Sequence, residues 1–239
     1  FIMVGSPQLG TPQAVGSLLH GDGEGIMAGI IVDASDTRAI AQNMPSAYNL
    51  LPSERYFADV SNPVVIFDQA DFTANWRNLW GDSINSYLEF QSFATGGDGR
   101  SKPNPKSLLT PEVLWSDFMD NAKNFHAIYD NFSFPDSIRV VQIAGWGIPT
   151  VKAIEYKNYH FQDSYKGVFT TEGDGTVVYP SAISSNADET YYFDLSLFNS
   201  NENGADFLHR NLLSAPPVEN ILKDVIKNEG VDQTEYVLV

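Results

Sequence analysis

The stretch SIRVVQIAGWGIPT, Ser137 to Thr150, decides the fold. Ile138, Val140, Val141 and Ile143 form a near-continuous apolar run, and Gly145, Gly147 and Pro149 follow it. A strand with one wet face alternates apolar and polar residues. A run like this one predicts a strand covered on both faces, as in a parallel sheet between helices.

Working outward toward the C-terminus, VKAIEY (151–156) and KGVFTTEGDGTV (166–177) read as paired strands around a tip at KNYH (157–160). ETYYFDL (189–195) is another strand. In PPVENILKDVIKNEG (216–230), Val218, Ile221, Leu222, Val225 and Ile226 share one helical face, with Gly230 as the stop. Toward the N-terminus, FIMV (1–4) is a short buried strand ended by Gly5, Ser6 and Pro7, and QAVGSLL (13–19) is a short helical turn. HGDGEG (20–25) has the wrong spacing for a dinucleotide loop and reads as solvated. Residues 36–52 read as a short helix broken at Pro45 and then a turn ended by Pro52.

Between Tyr56 and Phe134 aromatic residues accumulate, split by the polar loop at 95–106. The helix after that loop is predicted to start at an N-cap Thr110, with Pro111 in the first position and Glu112 at the positive end. Leu114, Phe118, Ala122, Phe125, Tyr129 and Phe132 would make one apolar stripe. The stripe fits a helix packed on a core, or a cap over an apolar pocket. Strands alternating with helices make the fold class α/β with a mainly parallel sheet.

Composition narrows the function. The chain has 239 residues, 43% hydrophobic and 18% charged, which is enough for a globular core. Thirty acids against 14 bases give a net charge of −16, a surface that repels phosphate backbones. Nucleic acid is therefore not an expected partner. No run of about 18 apolar residues is present, so no integral membrane helix is expected. The absence of cysteine removes thiol catalysis, disulfides and thiolate metal sites. Compartment stays open, with a leaning toward secretion. No cofactor and no metal are expected; GDG and GGDG lack the ligand spacing of a calcium loop. FIMVG begins as a strand without run-in and EYVLV (235–239) is strand-like, so the chain is expected to be part of a longer protein. An open strand edge at FIMV would then make the isolated piece prone to self-association.

Four histidines could act as a base: His20, His126, His160 and His209. Taken singly, each fits a structural or solvated role. Asp174 and His209 gain from being read together, because each follows a strand and the acid precedes the histidine. In that order an acid can orient an imidazole. The glycines flanking Asp174 fit a plain hairpin turn equally well.

Several segments, in order, resemble the α/β-hydrolase lipases and acyltransferases near the lecithin:cholesterol acyltransferase and GPI-inositol-deacylase-like group. They are FIMVGSPQLGTP (1–12), AQNMPSAYNLLPSERYF (41–57), AGWGIPT (144–150), EGDGTVVYPSA (172–182) and HRNLL (209–213). The resemblance implies an α/β-hydrolase-like fold with an aromatic-rich helical cap insertion. Residues 1–52 would be a core strand and loops, 53–135 the cap, and 136–239 the core strands with the acid and histidine loops. It implies Asp174 as catalytic acid and His209 as base, acting on a small-molecule ester or lipid. Two departures stand out. Gln8 replaces a histidine common in that family, and no G-x-S-x-G nucleophile elbow is present. The nucleophilic serine is expected upstream of Phe1, leaving this piece inactive alone. The rival readings are a non-catalytic binding module and an acid-based hydrolase using Asp174 directly.

Overall fold

The structure, a computed structural model, describes every residue except 23–25, 28–29, 32, 61–62, 161, 203, 232–233 and 239, with backbone alone at 26–27 and 30–31. The chain opens with β1 (Ile2–Val4), α1 (Pro12–His20), β2 (Ile26–Met27), β3 (Ile30–Ile31), α2 (Ala34–Ala41), α3 (Pro45–Tyr48) and α4 (Glu54–Asp59). It continues through β4 (Val65–Phe67), α5 (Ala74–Trp80), β5 (Ser83–Ile84), α6 (Tyr87–Ala94) and α7 (Ser116–Tyr129). The last part holds β6 (Val141–Trp146), β7 (Thr150–Tyr159), β8 (Gln162–Thr170), α8 (Tyr179–Ala182), β9 (Glu189–Asp194), α9 (Leu195–Asn201), α10 (Pro216–Lys227) and β10 (Val237–Leu238). Two compact units result. The first gathers Phe1–Gln8, Phe132–Val151 and Phe169–Val239; the second gathers Leu9–Asn131 and Lys152–Val168.

The first unit is built on a sheet of order β1-β6-β9-β10. β6 runs parallel to both β1 and β9, with Ile2 opposite Val141 and Ile143 opposite Tyr191. Only β10 is antiparallel. As the apolar run predicts, β6 is covered on both faces. Val141 and Ile143 pack with Phe193, Leu195, Phe198 and the inner face of α10, while Ala144 packs with Val177 and Ala182. In α10 the buried positions are Val218, Ile221 and Val225. Ile226, expected on that face, is 75% exposed. The left-handed stop is Asn228 rather than Gly230.

The second unit contains a sheet of order β5-β4-β7-β8, with β4 antiparallel to β5 and parallel to β7. The tip between β7 and β8 includes His160, at φ 49°. Phe67, Trp76, Phe93 and Tyr156 meet with ring centroids 4.9–6.0 Å apart, so much of the aromatic content forms this unit's own core.

The helix expected from Thr110 starts instead at Ser116. Residues 112–114 are held in other pairings: the Glu112 N–H donates to Leu19 O at 3.1 Å and the Leu114 N–H to Ala94 O at 2.9 Å. The inward face of α7 is Met119, Ala122 and His126, leaving Phe125, Tyr129 and the following Phe132 exposed. His126 sets this rotation. Its Nδ1 meets Asp130 at 2.6 Å and its Nε2 meets the Asn49 carbonyl at 2.9 Å.

A buried charge organises this unit. The Arg38 side chain is 1% exposed and lies 3.6 Å from the equally buried Glu112. Its guanidinium donates to the carbonyls of Asn104, Pro105, Ser107 and Thr110 at 2.7–3.3 Å. A planar guanidinium with five donors can gather such a loop, whereas a single ammonium cannot span it. Arg38→Met would leave a buried carboxylate uncompensated and the 104–110 carbonyls orphaned. It is expected to lower unfolding free energy by about 3–5 kcal/mol, read from denaturant unfolding.

Candidate active site

Asp174 lies on the segment that returns to the end of β6. The Gly147 N–H donates to Thr171 O at 2.8 Å and the Ile148 N–H to Gly173 O at 3.0 Å, which align the returning chain. The loop is also a tight turn: the Asp174 N–H donates to Val177 O at 3.2 Å, and Gly175 takes φ 96°. The sequence left a plain turn and a carboxylate-presenting loop as alternatives. The structure combines them, since the turn aims the side chain.

The Asp174 side chain is 1% exposed. Its Oδ1 accepts the N–H groups of Thr176 at 3.1 Å and Val177 at 2.8 Å. Its Oδ2 meets His209 Nδ1 at 2.8 Å. Two backbone N–H donors and the imidazole thus face the carboxylate.

His209 follows β9 and α9 and opens a short 3-10 turn, His209–Ser214. The loop before it is fixed by side-chain amides: Asn199 holds Phe207 through both its N–H and its carbonyl, and the Leu208 N–H donates to Asn211 Oδ1 at 2.7 Å. Leu212 anchors the turn in the core. The His209 N–H also donates to Asp174 O at 2.8 Å. Acid and imidazole are thus joined at two points, one through backbone and one through side chains.

The carboxylate can only accept, so Nδ1 carries the proton in either charge state of the ring. In the neutral ring Nε2 is then the lone-pair nitrogen. The His209 side chain is 31% exposed, and among the described residues Nε2 has no hydrogen-bond partner. The bond to Asp174 raises the imidazole pKa above its ordinary value, and partial burial opposes this. The arrangement is an oriented imidazole able to take a proton at Nε2.

Gly5, at the end of β1, packs directly on the pair. A Cβ there would lie 3.1 Å from Asp174 Oδ2 and 3.2 Å from His209 Nδ1, and its φ is +57°. The sequence marked Gly5 only as a strand terminator, and nothing local signalled this contact. Gln8, the departure noted above, bonds Gln142 Oε1 at 3.2 Å and Ala182 O at 2.6 Å and accepts from Ser184 and Ser185.

The remaining histidines have other settings. His20, expected in a solvated loop, is fully buried at the end of α1, bonded to Leu108 O and Tyr156 Oη at 2.6 Å each and stacked on Tyr165. Burial drives its pKa down to about 3, so it stays neutral. Part of that expected loop, residues 23–25, lies outside the described residues. The His126–Asp130 pair was missed in the sequence, though an i,i+4 spacing on one helix could have revealed it. His160 is exposed at the tip after β7.

No cluster of three or more His, Asp or Glu side chains suited to a metal occurs among the described residues. Among the described residues no helix is long and apolar enough to cross a membrane. No protein-family model matches the chain, and neither does any curated protein.

The raised pKa has a sign that can be tested. Because the folded value exceeds the unfolded one, the Asp174–His209 bond contributes stability that is fully present below the unfolded value, about 6.5. That contribution is lost as pH rises through the folded value. The His209 ring is expected to titrate above 6.5 by NMR, and Asp174→Asn is expected to bring its midpoint down.

Proposed function

We propose that this chain is the acid-and-base part of a serine hydrolase of α/β-hydrolase type. It would act on carboxylic esters as a lipase, esterase or acyltransferase. The observation that carries the reading is the 2.8 Å contact between His209 Nδ1 and the buried Asp174 Oδ2, with Nε2 left without a partner among the described residues. The parallel order β1-β6-β9 supports it, because the acid loop, which follows β8, returns to the C-terminal end of β6, and the histidine comes after β9 and α9, at the end where open α/β sheets keep their sites.

In this reading a serine hydroxyl, contributed by sequence upstream of Phe1, attacks the ester carbonyl carbon. His209 Nε2 accepts the hydroxyl proton as the new C–O bond forms. Asp174 holds the ring and stabilises the imidazolium. The imidazolium then gives its proton to the departing alkoxide, leaving an acyl-enzyme and a free alcohol. Water or another alcohol, deprotonated by the same Nε2, attacks the acyl carbon; the acyl–serine C–O bond breaks, the imidazolium returns its proton to the serine oxygen, and the acyl group leaves as acid or as new ester. Donors for the developing oxyanion would come from the part that supplies the serine.

The full-length protein is expected to react with a fluorophosphonate probe. His209→Ala and Asp174→Asn should each slow this reaction by about 10³–10⁴-fold while the protein stays folded. A folded full-length protein that does not label would overturn the serine mechanism and favour a non-catalytic binding module. A covalent adduct trapped on Asp174 would instead favour the acid-based hydrolase.

A further inference from the structure

Thr150, the first residue of β7, is fully buried. Its hydroxyl donates to Ile148 O at 2.8 Å and accepts the Gly175 N–H at 2.8 Å. Ile148 in turn receives the acid loop, bonding Gly173 O through its own N–H at 3.0 Å. Gly173 approaches so closely that a Cβ there would lie 2.6 Å from Thr150 Oγ1. One buried hydroxyl therefore touches the loop immediately before and immediately after Asp174.

The other restraints on the carboxylate differ in kind. Its bonds to the Thr176 and Val177 N–H groups lie within the loop and move with it. The Gly147–Thr171 and Ile148–Gly173 bonds fix the chain only up to residue 173. Beyond Asp174, the Thr150 hydroxyl bonds the Gly175 N–H to the strand end, while Val177 packs against Ala144 further along and the His209 N–H holds the Asp174 carbonyl. A valine has the same shape but neither donates nor accepts, so it would leave the half-buried Gly175 N–H without its acceptor.

We propose that Thr150 is a positioning residue: its hydroxyl sets the acid loop so that Asp174 Oδ2 reaches His209 Nδ1. This rests on reading the pair as acid and base. A purely structural threonine would affect stability alone, whereas a positioning residue also tunes the imidazole and is rescued by serine.

The test uses the full-length protein with ¹⁵N-labelled histidine and glycine, comparing wild type, Thr150→Val and Thr150→Ser. In the valine variant the His209 midpoint should fall back toward about 6.5, and serine should keep the wild-type midpoint. The Gly175 amide should be protected from hydrogen exchange in wild type and serine and lose that protection in valine. A folded valine variant with the wild-type midpoint would overturn the proposal. So would a wild-type Gly175 amide that exchanges as fast as an open loop, a result that holds even if valine fails to fold. If these shifts occur in a protein that never labels with fluorophosphonate, the hydrolase reading fails and the positioning of Asp174 by Thr150 stands.

Discussion

The site depends on one hydrogen-bonded contact, between a carboxylate almost completely removed from water and an imidazole only partly so. Burying Asp174 is tolerable because three N–H donors face it, two from its own loop and one from His209. That donor set imposes a direction on the ring. Nδ1 must keep its proton, and Nε2 becomes the side that exchanges one. The fold supplies this at little cost: the acid segment leaves β8 and is bonded back to the end of β6, the histidine segment comes after the neighbouring parallel strand β9, and a backbone bond between the two residues sets their spacing.

The two units solve burial of polar groups in different ways. In the first, the buried acid is matched to a titratable partner that retains access to solvent. In the second, Arg38 and Glu112 are both sealed in, and the guanidinium is saturated by loop carbonyls. His20 is equally sealed, held neutral by burial and bonded at both nitrogens. Groups satisfied on every side hold a structure in place. His209, with one satisfied nitrogen and one open, is the imidazole in this chain that is oriented without being used up.

Much of this was legible in the residues. The run Val140–Ile143 gave away a doubly covered strand, because continuous apolar sequence has no other inexpensive place in a sheet. The acid and the histidine were legible as residues placed after strands. Their contact was not, because 35 positions separate them and they meet through the pairing of β6 with β9 and the return of the acid segment to the end of β6. The start of α7 was misread for a related reason. Thr110, Pro111 and Glu112 have good local helix-start chemistry, but Glu112 is drawn to Arg38, 74 positions earlier. Gly5 and Thr150 carried no local signal. A strand-ending glycine and a strand-starting threonine are ordinary, and their roles exist only in contacts across the unit.

The central claim is that His209 works as a base oriented by Asp174. Its most direct test is the pH dependence of the rate at which the full-length protein reacts with a phosphonate ester mimic. The rate is expected to rise with pH as Nε2 loses its proton, with an inflection at the His209 midpoint measured by NMR, above the ordinary imidazole value. A rate independent of pH through that range, or an inflection that stays unmoved when Asp174→Asn shifts the His209 midpoint, would contradict it.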